Sequence, residues 1–492
     1  MKLLLAFSLP FSLLIGDTIN VEKASVRVSF ENIKLSDTED MGLMGLNYLL
    51  EPNDNFYYGL GAYGAVSGER GGFFVGGFSA GLKYEIYKSV YLDGGLFVGG
   101  GGGASAGQGG GLMLKAYAGA LYTFENHSLG LNYSKITFPN GEINGNQIAL
   151  VADMKFDAIF VDSTVNADDF KKYNFSNKKD YVVATYQNYF PKSDALTREG
   201  MPLTQTMKLI GVEYGANVSE NFIAYFESAG AMGGQSTGYM EVLGGMGYTT
   251  YVTSNSKVQT KISLGAAGGG EVDTGGGSIG KASLNFDLNP VKNLNIGLGI
   301  GYFHAIEGGF DATFTKINLG VNTDFLSISD SKSNVLFDSI STQKFNIRFS
   351  NQTYLYSDSL SANAQNASDV QLLGMKIDWF MTEGAYVSGQ AFGAYKGGAG
   401  GYAAGLFGVG YIQPIAYNFS AVAEVAFGAG GGGSVQSGGG NVFEPMLGAM
   451  YDMTKNMSIE IMCGKVIAIN GELNANAIDF SFAYKFNKLI IK

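Results

Sequence analysis

Apolar and polar positions alternate with a period of two through most of this chain. Between residues 73 and 85 one face reads Phe74, Gly76, Phe78, Ala80, Leu82 and Tyr84, and the other Val75, Gly77, Ser79, Gly81 and Lys83. Residues 112–123 do the same, with Leu112, Leu114, Ala116, Ala118 and Ala120 opposite Met113, Lys115, Tyr117, Gly119 and Leu121. Such alternation is strand behaviour, and no segment holds a 3.6-residue period long enough for a helix. In the first third of the chain the pattern predicts eight strands, at 24–33, 42–50, 56–66, 73–85, 90–100, 112–123, 129–136 and 147–156.

Many of these strands reach ten residues, longer than the usual strand of a soluble sheet and close to what a tilted membrane-crossing strand needs. Their connections alternate in kind. EPNDN, YKSV and FENH are tight turns after strands two, four and six. LSDTEDM, SGERGG, GASAGQGGG and PNGEING follow strands one, three, five and seven and are longer or richer in glycine. An even number of strands returns the chain to the short-turn side.

The block then recurs. Gly101-Gly102-Gly103 and Gly109-Gly110-Gly111 have counterparts at Gly268-Gly269-Gly270 with Gly275-Gly276-Gly277, and at Gly431-Gly432-Gly433 with Gly438-Gly439-Gly440. The offsets are 167 and 163 residues. The flanks agree, GLKYEIYKSVYLDGGLFVGG matching GMGYTTYVTSNSKVQTKISLGAA and GVGYIQPIAYNFSAVAEVAFGAG. A repeat of this period identifies one supersecondary block used three times. The expected division is 17–156, 181–325 and 344–492, joined by linkers at 157–180 and 326–343 rich in Asp, Asn, Ser and Lys.

Composition narrows the class. Glycine supplies 73 of 492 residues, about twice the ordinary share, and only 15% of residues are charged. The hydrophobic fraction of 46% excludes disorder, and a single cysteine excludes a disulfide scaffold. Net charge is −11, with only four arginines, Arg27, Arg70, Arg198 and Arg348. No basic patch is available to hold a phosphate backbone, so nucleic acid is not an expected partner. Residues 1–16, Met1-Lys2 followed by LLLAFSLPFSLLIG, have the short positive start and apolar core of a secretory signal peptide.

The signal-like start, aromatic-ended strands such as YYGLGAYGA and SLGLNYSKI, and the closing strand AIDFSFAYKF together resemble the outer-membrane β-barrel proteins of Gram-negative bacteria. The resemblance covers about residues 20–486 and is one of class, without a subfamily motif. In that family the last strand ends on an aromatic residue at the C-terminus. Here Phe480, Phe482, Tyr484 and Phe486 are followed by six further residues, NKLIIK. The resemblance implies an all-β, antiparallel transmembrane barrel in the cell outer membrane, with membrane lipid as its surroundings.

Three blocks of eight strands could close as one barrel of about 24 strands or as three eight-stranded barrels. Growth of one barrel by adding hairpins is simple, because closure removes every edge. We therefore expect the single large barrel, with three small ones as the alternative. Lys83, Lys115, Asp93 and Asp273 are expected on the lumen side. The expected function is a porin-like passive channel for small neutral or cationic solutes, the alternative a sealed structural or surface-adhesive barrel.

Little in the residues points to other chemistry. The glycine triplets lack the lysine of a phosphate-binding loop and read as flexible tips or as strand ends too crowded for a Cβ. His127 and His304 have no partner at metal-ligand spacing. Cys463 reads as a packed small apolar residue, and Trp379 as part of an interfacial aromatic belt. No catalytic, cofactor or metal residue is assigned, and no enzyme activity is expected.

Overall fold

The computed structural model describes residues 19–35, 39–161, 173–291, 293–328, 335, 339–360 and 368–491. The signal-like segment 1–16 lies outside them. Twenty-four antiparallel strands account for most of the described chain. The first eight are β1 (Ile19–Lys34), β2 (Asp40–Asn53), β3 (Phe56–Ser67), β4 (Phe74–Tyr87), β5 (Val90–Gly102), β6 (Leu112–Phe124), β7 (His127–Thr137) and β8 (Asn144–Val161). The next are β9 (Phe175–Pro191), β10 (Met207–Asn217), β11 (Phe222–Gly233), β12 (Met240–Thr253), β13 (Ser256–Gly268), β14 (Ser278–Leu288), β15 (Leu294–Ala305) and β16 (Asp311–Ile328). The last are β17 (Ile340–Tyr354), β18 (Val370–Phe380), β19 (Ala385–Lys396), β20 (Ala403–Ala416), β21 (Phe419–Gly431), β22 (Asn441–Asp452), β23 (Met457–Ala468) and β24 (Asn474–Ile491).

Each set of eight closes on itself. Within a set every strand pairs with the next, and the first pairs with the last: β1 with β8 from Ile19↔Val161 to Glu31↔Ala149, β9 with β16 from Phe175↔Ile328 to Pro191↔Ala312, and β17 with β24 from Ile340↔Ile491 to Tyr354↔Ala477. One large barrel would need β8 paired with β9 and β16 with β17, and neither pairing occurs among the described residues. The expectation of a single 24-stranded barrel is therefore corrected to three eight-stranded barrels. The seam strands are also longer than expected. β8 runs to Val161, β9 starts at Phe175, β16 runs to Ile328 and β17 starts at Ile340, so much of the supposed linkers 157–180 and 326–343 is strand.

The alternation read from the sequence decides which residues face in. Lys83, Ser79 and Val75 of β4 are buried inside barrel 1, while Leu82 and Tyr84 of the same strand are 63% and 66% exposed. Leu264 of β13 and Leu447 of β22 are 67% and 69% exposed on the other two barrels. An apolar outer wall around a charged interior inverts the order of a water-soluble protein and calls for apolar surroundings. No helix among the described residues is long and apolar enough to cross a membrane.

The three barrels sit in a ring. β13 of barrel 2 lies against β3 of barrel 1, β21 of barrel 3 against β11 of barrel 2, and β5 of barrel 1 against β19 of barrel 3. In every case the fifth strand of one barrel meets the third of another, so the contacts form a closed cycle. Glycine makes the approach possible. A Cβ added at Gly72, Gly238 or Gly401 would stand 2.2, 3.1 and 3.0 Å from the backbone nitrogen of Gly269, Gly432 and Gly103, each on the neighbouring barrel. The triplets are thus crowded strand ends rather than loose tips.

At the opposite, short-turn end the eighth strands converge. Phe325 of β16 pairs with Ile490 of β24, and Asn487 of β24 with Val161 of β8. Ile19, Ile159 and Val161 from barrel 1, Phe175 and Leu326 from barrel 2, and Ile340 and Leu489 from barrel 3 form one buried cluster there. Of the residues that follow Phe486, Asn487, Leu489, Ile490 and Ile491 take part in this junction.

Candidate functional site

The interiors of the three barrels hold nearly all of the buried charge. In barrel 1, Arg27 on β1 reaches across to Asp93 on β5, the diametrically opposite strand, at 3.0 Å. It also forks onto Asp153 of β8, Nε to Oδ1 at 2.8 Å and Nη2 to Oδ2 at 2.9 Å. Tyr57 Oη donates to Asp93 at 2.7 Å and Asn132 Nδ2 at 3.0 Å. Lys115 pairs with Glu31, which also accepts from Ser134 and Gln147, and Lys83 pairs with Glu51. The space left among Arg27, Lys115, Tyr117 and Asn132 is about 10 Å³, on the scale of a single water.

Barrel 2 uses lysine instead. Lys316 on β16 bridges Glu213 and Glu227, both at 2.6 Å, and Lys261 joins Glu213 at 2.6 Å. Lys281 contacts Glu227 at 2.6 Å and Glu241 at 2.9 Å, and Glu241 accepts from Tyr189 and Tyr239. In barrel 3, Arg348 on β17 holds Asp378 at 2.7 Å, Glu460 at 2.8 Å and Glu424 on the opposite strand β21. Lys376 adds Asp479 at 3.1 Å. Buried pairs like these recover their desolvation cost only when geometry is good and the remaining lone pairs are filled. The dense hydrogen bonding meets most of that requirement.

Above each ionic layer, at the glycine-rich end, the loops fold inward as an apolar cap. Ala106, Val272 and Val435 occupy the same place in the fifth loop of each barrel, and their backbone nitrogens bond the carbonyls of Gly103, Gly269 and Gly432, all at 3.1 Å. The seventh loops dock beneath them through Phe138, Phe310 and Leu473, and the third loops through Phe73, Tyr239 and Tyr402, all buried. These side chains belong to the largest apolar cluster of each barrel. Outside the wall, Arg70 clasps Glu39, with Nη2 to Oε2 at 2.8 Å. This hydrogen-bonded pair holds the Glu39 carboxyl below its ordinary value.

Lys83, Lys115 and Asp93 face the interior as read from the sequence, yet each is consumed in an ion pair rather than lining open space. Asp273 is elsewhere. It sits in the cap of barrel 2, where its carboxylate accepts from the backbone nitrogens of Gly275 at 3.1 Å and Gly309 at 2.8 Å. His127 is exposed beside Phe124, and His304 is exposed with Nδ1 2.7 Å from Asp311. Cys463 is not packed inside but exposed on the outer wall of barrel 3, because it falls on the outward phase of β23. Trp379 lies tilted against Phe345, ring centroids 5.6 Å apart, in the aromatic cluster where barrels 1 and 3 meet. Among the described residues no three His, Cys, Asp or Glu side chains are arranged as a metal cage.

Comparison with known proteins adds little to this geometry. No protein-family model matches the chain, and no curated protein matches it. Among solved structures, Pseudomonas aeruginosa OpdQ is 9% identical with a TM-score of 0.22, over 95% of this chain and 98% of that one. Acinetobacter baumannii OccAB3 is 10% identical with a TM-score of 0.23, over 95% and 99%. The Pseudomonas aeruginosa ferric enterobactin receptor PfeA is 9% identical with a TM-score of 0.29, over 96% and 82%. These are outer-membrane β-barrels, and the likeness is too distant to argue from. The chain's own strand pairing carries the architecture.

The organising residues of the interiors, Arg27 and Arg348, were visible in the sequence only as members of a sparse arginine set. Their signal was position. Each stands on the first strand of its unit, within the alternating runs Ser25-Val26-Arg27-Val28-Ser29 and Asn346-Ile347-Arg348-Phe349-Ser350.

Proposed function

We propose that this chain is a sealed, membrane-embedded scaffold of three fused barrels in the outer membrane, rather than a passive channel. The observation that carries the reading is the filling of each barrel: ion pairs join opposite walls at mid-height, Arg27 to Asp93 and Arg348 to Glu424, and an apolar cap lies above them. A hydrated solute crossing a barrel would have to break buried pairs, each worth about 3–5 kcal/mol when one partner is stranded. The apolar outer wall and the membrane-crossing strand lengths support the membrane setting. The porin-like reading for small neutral or cationic solutes needs a lumen, and the sealed reading is supported by the space of about 10 Å³ left within the ionic layer of barrel 1.

The deciding experiment is conductance of the folded full chain in a planar lipid bilayer, with insertion verified by protease protection. The sealed reading expects silence. Steady openings proportional to inserted protein would overturn it in favour of the channel.

A further inference from the structure

The interior of barrel 3 carries more negative charge than its own cations can balance. Five buried carboxylates, on Asp378, Glu424, Glu444, Glu460 and Asp479, face two buried cations, Arg348 and Lys376, a surplus of three. Most of the carboxylate oxygens are spoken for. Glu444 accepts from Tyr354 at 2.6 Å and Gln352 at 2.9 Å, Asp479 from Ser350 and Ser481, and Glu424 from Arg348, Tyr386 and Gln390. Two oxygens are not. Asp378 Oδ2 and Glu460 Oε2 are buried and accept nothing, although the other oxygen of each is bonded to Arg348.

A third group marks the same place. Asn346 is fully buried, and neither its Oδ1 nor its Nδ2 has a partner. It is the cross-strand neighbour of Asp378 on the inward face. Such neighbours have Cβ atoms only about 4.5–5.5 Å apart. An amide and a carboxylate at that spacing would normally bond each other, and here they do not. Leaving a buried amide unsatisfied is costly, and a bare carboxylate oxygen costs more. Two carboxylates on one guanidinium, with an uncommitted amide oxygen on the strand position next to Asp378, supply three oxygen ligands.

We infer that Asp378, Glu460 and Asn346 form a site for a small hard cation of the calcium class inside barrel 3. Carboxylate and amide oxygens are the ligands such an ion takes, with water completing its shell. The ion offsets part of the surplus charge and satisfies the three idle oxygens together, and Asp378 and Glu460 each bridge it to Arg348. Entry is from the short-turn end, since Asp378 is two residues from the end of β18 and Glu460 three from the start of β23. The mouth there is framed by Lys344 over the Phe380 ring at 4.0 Å and by the Lys485–Asp452 pair at 2.5 Å. Barrel 1 lacks the site, because Ser25 and Leu49 stand where it would need Asn346 and Asp378.

The chain's single tryptophan, Trp379, adjoins Asp378 and provides the probe. Terbium is added to the folded full chain in detergent, and its emission is read while only tryptophan is excited. The expected result is sensitised emission that calcium competes away, that is lost in the double variant Asp378→Asn/Glu460→Gln, and that calcium displaces more readily in Asn346→Ala. Folding of each variant is checked by heat-modifiable gel migration. If the double variant does not fold, Asn346→Ala alone decides, since it changes no charge. Absence of emission from folded wild type, or emission unchanged in the folded variants, would overturn the site. An unfolding midpoint that responds to pH but not to calcium would do the same, assigning the charge balance to protons instead.

Discussion

Gly100 of barrel 1 and Gly393 of barrel 3 approach so closely that a Cβ on Gly100 would stand 2.6 Å from the Gly393 carbonyl oxygen, and one on Gly393 2.4 Å from that of Gly100. Neither backbone can retreat without moving its barrel, since both lie in paired strands. Gly100→Leu should therefore part barrels 1 and 3 while each ring stays closed. Phe78 and Phe349, whose rings lie 5.0 Å apart across the same interface, give the readout. With cysteines at those two positions and Cys463→Ser, a short bifunctional maleimide should link them in the parent and fail in the Gly100→Leu chain. Equal linkage in both would show that the glycine contact is not what holds the pair together.

Arg27 answers two carboxylates inside barrel 1. Arg27→Leu strands Asp93 and Asp153 in a dry interior and should lower the free energy of unfolding in urea by about 3–5 kcal/mol. The triple variant Arg27→Leu/Asp93→Leu/Asp153→Leu leaves no unpaired charge, only the neutral donors Tyr57 Oη and Asn132 Nδ2 without the acceptor Asp93 gave them, and should recover most of that loss. If the triple variant were as weak as the single one, packing rather than charge would be limiting.

Leu489 is 1% exposed in the cluster where the three barrels converge. Leu489→Asp places a carboxylate among Ile159, Leu326 and Ile340 without touching an ionic layer. The barrels should remain folded one by one, while heat-modifiable migration of the whole chain shifts to lower temperature. Loss of barrel 3 itself, seen as protease cleavage within 345–486, would mean that the junction is needed to close that ring.

The Glu39–Arg70 pair sets a pH dependence at the glycine-rich end. The folded carboxyl titrates below its unfolded value, so its stabilisation is present above the ordinary carboxylate range and is lost as pH falls through the folded value. Being partly exposed, the pair is worth at most about 1 kcal/mol. Protease nicking in the 68–73 loop should rise in acid for wild type. Glu39→Gln should show the acid level at neutral pH and no further change. A variant that still responds to acid would place the sensitivity elsewhere.

Much of the wall was legible, because strand alternation and turn length are local properties. The strand expected at 56–66 is Phe56–Ser67, and that at 90–100 is Val90–Gly102. Ring closure was not legible, since an even-numbered block has the same hairpins and the same inward phase whether it joins a neighbour or itself. The clue lay in the apolar ends of the eighth strands, Ile159-Phe160-Val161 and Leu489-Ile490-Ile491, which serve a junction and not a lipid face. Of the interior, Lys83, Asp93 and Lys115 could be placed by phase alone. Their partners could not, because Arg27 to Asp93 spans the barrel across 66 residues of sequence. Cys463 was misplaced because a small side chain in an apolar run does not reveal its phase.

The cycle of third-strand to fifth-strand contacts gives every barrel two different neighbours, a head and a tail. Separate copies joined head to tail would close only by collision of three molecules, and would come apart on dilution. Carried on one polypeptide, the same ring assembles intramolecularly, at a local concentration that its connecting segments set. It also need not be uniform. A true homotrimer has to place the same side chains in all three interiors, whereas here arginine with aspartate, lysine with glutamate, and an acid-rich third interior stand side by side. Fusion therefore frees each interior to drift in charge, so long as the glycines at its rim stay where they are.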